Sequence, residues 1–289
     1  MKDHIIRGIT ENREVRFFAA YTREICETAR TTHGLSPVCT AALGRLLTAG
    51  AIMGAMCKNE SDVLTLRIEG DGPLSKVTVT ADAHCHVKGL VSATDVWNAP
   101  KANGHLDVGG AIGKGTLFVI RDTGLAEPYV GQTKLVSGEI AEDLTYYFAS
   151  SEQIPTSVGL GVLIDRNLTV QHAGGFLIQL MPFASDETVS RLEKSLTGME
   201  SVTEFFRKGK TPEDMMREIL GSIIIEEERD TEYHCSCSRE RVERVLISLG
   251  KENLEEMIED GDPVSMHCDF CNTDYTFSVD ELKEILAKA

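Results

Sequence analysis

An α+β fold in three parts is what this 289-residue chain predicts: a mixed α/β-sheet domain over residues 1–182, a helical linker over 183–230 and a small C-terminal module over 231–289. Three features carry that reading. Apolar and polar residues alternate in short runs as far as Leu180, with helix-like stretches set among them. Beyond Met181-Pro182 the pattern changes to short, well-capped helices. Four of the eight cysteines then crowd the last fifth of the chain as two close pairs.

Strands are expected at Asp3–Ile9 and Glu14–Ala20, then a helix at Thr22–Thr32 that Gly34 stops. Ser36-Pro37 supplies an N-cap and an N1 proline for a second helix reaching about Met56. That helix is so rich in Ala, Gly, Leu and Met that it should be buried on most sides. A β-meander follows at Val63–Ile68, Lys76–Thr80 and His86–Val91 around the turn Gly70-Asp-Gly-Pro73. Thr116–Arg121 and Thr133–Ser137 add strands, Ala141–Ser150 adds a helix, and Ser157–Asp165 with Leu168–Leu180 closes the domain.

From Ala184 to about Glu228 short helices are expected. Ser185 or Asp186 caps the first, Ser201-x-x-Glu204 reads as a capping box, and Thr211-Pro212-Glu213 sets cap, proline and first-turn acid in order. Val189, Leu192 and Leu196, then Met215, Met216, Ile219 and Leu220, recur at helical spacing. Such faces suit either an ordinary packed connector or a metastable segment whose apolar side can be released. Ile223-Ile-Ile225 followed by Glu226-Glu-Glu228-Arg-Asp230 marks the domain boundary.

The formal charge of −16 disfavours nucleic acid and anionic membrane partners, whose nonspecific affinity comes from clustered Lys and Arg. Residues 231–289 hold 14 Asp or Glu against 6 Lys or Arg, unlike a DNA-reading zinc ribbon. No secretory h-region follows Met1, and the longest apolar run, Leu46 to Met56, is too short to span a bilayer. A cytoplasmic protein is therefore expected, with its thiols kept reduced.

Several motifs fail on inspection. Gly109-Gly-Ala-Ile-Gly113-Lys114-Gly115 is one residue short of a phosphate loop and has Gly115 where Ser or Thr would bind magnesium, so it reads as a turn. His84-Cys85-His86 places 84 and 86 on a strand face that 85 leaves, which argues against a ligand trio. Cys26, Cys39 and Cys57 stand singly among apolar helix residues as packing thiols. No hydrolytic motif is present, and the chain is read as a non-enzyme.

Cys235-Ser-Cys237 and Cys268-Asp-Phe-Cys271 have the spacing of a four-thiolate zinc site, one ion per chain. His234 and His267 each precede a pair and could substitute, but four cysteines suffice. Composition and spacing favour a structural ion stapling a module too small to hold itself by its core. A switch is the other reading. Sulfurs on tetrahedral zinc lie roughly 3.8 Å apart, from a Zn–S length of about 2.3 Å, whereas a disulfide needs about 2.05 Å. Oxidation must then expel the ion, and proximity in sequence favours Cys235 with Cys237 and Cys268 with Cys271.

Along its whole length the chain resembles the redox-regulated 33-kilodalton heat-shock chaperones of bacteria. The likeness rests on the two cysteine pairs, on Gly72-Pro73-Leu74, on Gly113-Lys114-Gly115-Thr116-Leu117 with Gln132, on Glu152-Gln153-Ile154-Pro155-Thr156-Ser157, and on Ala173-Gly174-Gly175-Phe176-Leu177-Ile178-Gln179-Leu180-Met181-Pro182. The resemblance implies an ATP-independent holdase that prevents aggregation under oxidative and heat stress. Its reduced, zinc-bound form would be inactive. Peroxide with heat, or hypochlorous acid, would release zinc, pair neighbouring cysteines and unfold module and linker, giving a homodimer that captures unfolding proteins. The linker would stay helical only while a folded zinc module covers it. Two other classes remain to be set against this: a thiol oxidoreductase using Cys268-x-x-Cys271, for which no thioredoxin-type βαβ context exists, and a zinc-ribbon interaction module, whose charge is wrong.

Overall fold

Strands β1 (His4–Thr10) and β2 (Val15–Tyr21) form a hairpin, and helices α1 (Arg23–His33) and α2 (Pro37–Gly54) follow it. The computed structural model describes residues 1–288 and divides into two units, Met1–His234 and Cys235–Ala289. In the first unit come β3 (Val63–Gly70), β4 (Lys76–Asp82), β5 (His86–Val91), α3 (Val108–Ile112), β6 (Gly115–Asp122), β7 (Tyr129–Lys134) and α4 (Ala141–Tyr147). They are followed by β8 (Thr156–Ile164), β9 (Val170–Leu180), α5 (Asp186–Thr197), α6 (Val202–Arg207), α7 (Pro212–Leu220), β10 (Ile223–Asp230) and β11 (Glu232–Tyr233). One sheet runs β10-β1-β2-β9-β8, the other β11-β5-β4-β3-β6-β7.

Helix α2 lies between the two sheets, and its near-continuous burial explains why its sequence has no polar side. Two glycines let the sheets come close. A Cβ on Gly50 would stand 2.7 Å from Val79 of β4, and one on Gly44 would stand 2.9 Å from Val162 of β8. The helix starts differently from the expected capping: Ser36 Oγ donates to the Val96 carbonyl at 2.7 Å and caps nothing, which leaves Pro37 at N1 to set the first turn. The first turn of α1 is likewise capped from a distance, by Asp3, whose carboxylate accepts from the backbone N–H of Glu24 at 3.1 Å and of Ile25 at 2.8 Å.

The linker departs from its expected form in two ways. Residues Ile223–Asp230 are not helical but extend as β10, antiparallel to β1, with a bulge at Arg7/Gly8. Helices α5, α6 and α7 are not dependent on the C-terminal module for cover: Leu192, Val202, Phe205, Phe206, Met215, Met216, Ile219 and Leu220 join Phe17, Ala19, Phe176 and Ile178 in a second core on the sheet face turned away from α2. The caps are strong where local sequence supplies them. Thr211 and Asp214 make a reciprocal capping box, whereas Ser201 accepts from Glu204 N–H but Glu204 turns its carboxylate to Arg207.

The second unit contains α8 (Arg239–Ser248), α9 (Lys251–Asp260), β12 (Val264–Cys268), β13 (Thr273–Phe277) and α10 (Val279–Leu286). Its fully buried core is small: Leu246, Leu254, Phe277, Leu282 and Ile285.

Asp3 is 3% exposed, and burial pushes its carboxyl up to about 6 against the two N–H donors that would lower it. A carboxyl raised above its unfolded value binds its proton more tightly when folded, so stability is gained as pH falls from about 7 towards 4. Asp3→Asn should therefore raise urea stability by ~1–2 kcal/mol at pH 7.5, an advantage that fades by pH 4. A gain that did not vary with pH would contradict the burial account.

Candidate metal centre

Cys235 and Cys237 lie on an extended stretch that follows β11 and ends at α8, whose first turn Ser238 caps by accepting from Arg241 N–H at 3.2 Å. Cys268 is the last residue of β12, and Cys271 sits in the turn to β13. Asn272 takes a left-handed φ of 56° there, and its N–H closes the turn on the Cys268 carbonyl at 2.8 Å. Each pair is thus local in sequence, while the β12–β13 hairpin presents the second pair as one rigid knuckle.

All four sulfurs lie within 4.8 Å of one another, and no other such group of His, Cys, Asp and Glu occurs among the described residues. Cys235 Sγ and Cys268 Sγ are 3.8 Å apart, the separation expected on a tetrahedral ion with Zn–S bonds of about 2.3 Å. Cys237 Sγ and Cys271 Sγ are closer, at 3.1 Å. Four half-buried thiols at this spacing fit a four-sulfur zinc centre, in which the ion would be held by Cys235, Cys237, Cys268 and Cys271. Burial pushes the Cys237 thiol up, but hydrogen bonds from the Tyr275 hydroxyl at 3.1 Å and from neighbouring thiols outweigh it and bring the group to about 7. Burial and the shared contact with Cys237 take Cys271 the other way, to about 12.

Two supporting residues escape a motif-level reading. Tyr275 reaches Cys237 from β13, two positions beyond the partner of Cys268 in the hairpin register. Arg239 stacks 4.3 Å over Phe277 and donates to the Thr276 carbonyl at 3.0 Å and to Glu281 at 2.5 Å, tying the start of α8 to β13 and α10. Neither histidine joins the sulfurs: His267 Nδ1 pairs with Asp274 at 2.8 Å, and the His234 ring lies 4.7 Å from that of His86.

The remaining candidates fall elsewhere. Residues 108–112 form a single helical turn, and Asp71 accepts the Lys114 N–H at 2.7 Å, so a carboxylate occupies the place a phosphate would need. Only His86 of the His84-Cys85-His86 trio belongs to a strand; His84 and Cys85 form the corner before it, with Cys85 buried at a φ of 64°. Burial pushes the thiols of Cys26, Cys57 and Cys85 up, which suits packing rather than reaction. The helix long and apolar enough to cross a membrane, α2, is 89% buried inside the first unit.

Cys268→Ser should weaken zinc binding and make the Cys235–Ala289 unit protease-sensitive without oxidant; an unchanged affinity and digestion pattern would contradict its place in the ligand set. Tyr275→Phe keeps the ring but removes the donor to Cys237, and should lower zinc affinity by about 10-fold in chelator competition.

Comparison with known proteins agrees with this architecture. The family model described as Hsp33 protein matches residues 3–278. The 33 kDa chaperonin of Lachnoclostridium phytofermentans is 53% identical over 100% of both chains, and that of Agathobacter rectalis is 51% identical over 99% of this chain and 100% of its own. The crystal structure of the 33 kDa chaperonin from Thermotoga maritima superposes with a TM-score of 0.91 at 38% identity, covering 100% of this chain and 99% of the other. With its sheets, its linker and its four sulfurs on the same chain, the protein belongs to the Hsp33 family of chaperones.

Proposed function

We propose that this chaperone is an ATP-independent holdase, inactive while its four cysteines are reduced and hold one zinc ion, and activated when they oxidise. The observation that carries this reading is a juxtaposition along the chain. Linker helices bury a Met- and Phe-rich face on a β-sheet, and the strap β10–β11 that ends the linker runs directly into Cys235.

Bound zinc supplies folding free energy of order 10 kcal/mol or more, which a core of five fully buried side chains does not. In the switching step two thiolates give two electrons to a peroxide, forming one S–S bond while the peroxide leaves as water or hydroxide. The four sulfurs lie within 4.8 Å of one another, and two that bond must close to about 2.05 Å, after which their electron pairs no longer serve as thiolate ligands. Proximity in sequence supports Cys235–Cys237 and Cys268–Cys271 as the pairs. The unit from Cys235 onward then loses its fold.

The linker is coupled to that loss through β10–β11, which joins it to Cys235, and its helices, of 12, 6 and 9 residues, are at or below the length at which isolated helices persist in water, so they hold only while docked on the sheet. Once they leave the sheet, Met215, Met216, Phe205 and Phe206 and the sheet residues Phe17, Phe176 and Ile178 become apolar surface for unfolding clients. Abundant acids keep that surface in solution and disfavour nucleic acid and anionic membrane partners, while the cytoplasmic setting and the active homodimer enter this reading from the family resemblance alone.

Peroxide treatment at raised temperature, followed together by zinc release to a chromogenic chelator, protease sensitivity of residues 184–230 and citrate synthase aggregation, tests the sequence of events. Metal release should precede linker exposure, and exposure should precede holding. Fully oxidised, metal-free protein that kept its amide protection from Ala184 onward would sink the mechanism. Met216 is 0% exposed, so Met216→Glu buries a charge at a cost of several kcal/mol and should undock α7 without oxidant. Reduced Met216→Glu should suppress aggregation with zinc still at one per chain; an undocked linker with no holding would place the client surface elsewhere.

A further inference from the structure

At the C-terminal end of α2 a cavity of about 490 Å³ opens, within the size range of small-molecule sites. Strands of both sheets line it: Arg7, Arg16 and Phe18 come from β1 and β2, Leu64 and Arg121 from β3 and β6. Register explains how two arginines meet there. Arg7 stands opposite Phe18 and Ile9 opposite Arg16, so Arg7, Arg16 and Phe18 share the sheet face that Phe18 turns to the α2 core. Met53 and Met56 at the end of α2, with Phe148 and Ile154, supply apolar lining.

In a chain of formal charge −16 this cavity is cationic: Arg7, Arg16, Lys58 and Arg121 line it against Asp62 and Glu152. Both carboxylates are already engaged. Asp62 accepts the backbone N–H of Lys58 and of Asn59, each at 3.1 Å, and Glu152 accepts from the Tyr147 hydroxyl at 2.6 Å and pairs with Arg121 at 2.9 Å. Arg7 has its own partner, Glu227 at 3.1 Å. Arg16 is different: among the described residues no carboxylate lies within 4.0 Å of it, and burial pulls its pKa down with no anion to offset the cost. Its Nε donates to Gln179 Oε1 at 2.7 Å, and the buried Gln179 is fixed in turn by donating to Thr156 Oγ1 at 3.0 Å. The guanidinium is thus held from behind. Its two terminal nitrogens make no protein hydrogen bond among the described residues, yet neither is sealed from solvent.

We propose that this cavity binds a small carboxylate with an apolar tail, the carboxylate accepting a two-pronged hydrogen bond from the terminal nitrogens of Arg16 and the tail lying against Met53, Met56 and Phe148. A planar fork fits a carboxylate in bidentate fashion, and one unpaired guanidinium matches one negative charge. The exposed Lys58 at the rim attracts the same sign of ligand. Unbranched, polarizable Met side chains adapt to a flexible chain. All lining residues belong to the Met1–His234 unit and none is a sulfur of the metal centre, so the site stands independently of the oxidation mechanism.

The reduced, zinc-loaded full-length chain is titrated calorimetrically with butyrate, hexanoate and octanoate. One equivalent should bind, with affinity rising about threefold to fourfold for each added CH₂. Acetate lacks the tail and octan-1-ol the charge, and each should bind at least 10-fold more weakly than octanoate. Arg16→Gln should weaken octanoate at least 10-fold, whereas Arg191→Gln, outside the cavity, should leave it unchanged. Should Arg16→Gln lose its native circular dichroism, the exposed Lys58→Glu variant decides, with an expected loss of about 5-fold from the reversed charge at the rim. Absence of saturable binding, affinity that does not change with tail length, octanol or acetate binding as tightly as octanoate, or undiminished affinity in Arg16→Gln and Lys58→Glu would overturn the site.

Discussion

Too little core for its length is the constraint on which this molecule turns. Leu246, Leu254, Phe277, Leu282 and Ile285 are the fully buried side chains of the unit that begins at Cys235, and a module of that size gains only ~3–5 kcal/mol from such packing. Its helices carry some of the burden through local chemistry: Ser238 and Ser278 cap α8 and α10, and Arg239 clamps α8 to β13. None of this approaches what four thiolates on one ion contribute. On the proposed zinc-bound reading, the sulfur cluster would govern whether the unit is folded.

In the first unit the reverse holds. Helix α2 is enclosed between two sheets, and that core does not draw on the linker. The linker helices α5–α7 form a separate layer on the outer sheet face, with their own cluster of buried Met, Phe, Leu and Ile, while β10 belongs to the sheet itself. Ion pairs such as Arg217–Glu213 and Lys208–Glu200 decorate its exposed side, where each adds little. A layer whose helices are short and whose apolar contacts all face one way can leave as a whole while the sandwich beneath it persists.

Much of this was legible residue by residue. The paired spacing of Cys235, Cys237, Cys268 and Cys271 needs only local chain geometry, because Cys235 and Cys237 stand one residue apart on an extended stretch and Cys268 and Cys271 share one turn. Helix α2 declared itself by its lack of a polar face, and Thr211-Pro212 by its cap. Other elements were hidden for physical reasons. Ile223-Ile-Ile225 masks the alternation of β10, whose strand character comes from pairing with β1. The expected strand at Thr133–Ser137 lies earlier, as β7 at Tyr129–Lys134, because its edge position leaves Tyr129 and Val130 exposed and blurs the pattern. The helix expected to Ser150 changes at Phe148 to a π-helical turn ending at Glu152, whose carboxylate accepts from the Tyr147 hydroxyl at 2.6 Å.

What the sequence determined by itself was the inventory and its local order: which thiols pair off, where helices begin, which stretch is apolar enough to be central, and how acidic the whole chain is. Those properties depend on neighbours a few residues apart. Only the tertiary structure decided what covers the linker, which hydroxyl supports Cys237, and that His234 lies beside His86. Each of these joins residues well separated in the chain, and such contacts follow from sheet register and layer packing that no local pattern encodes.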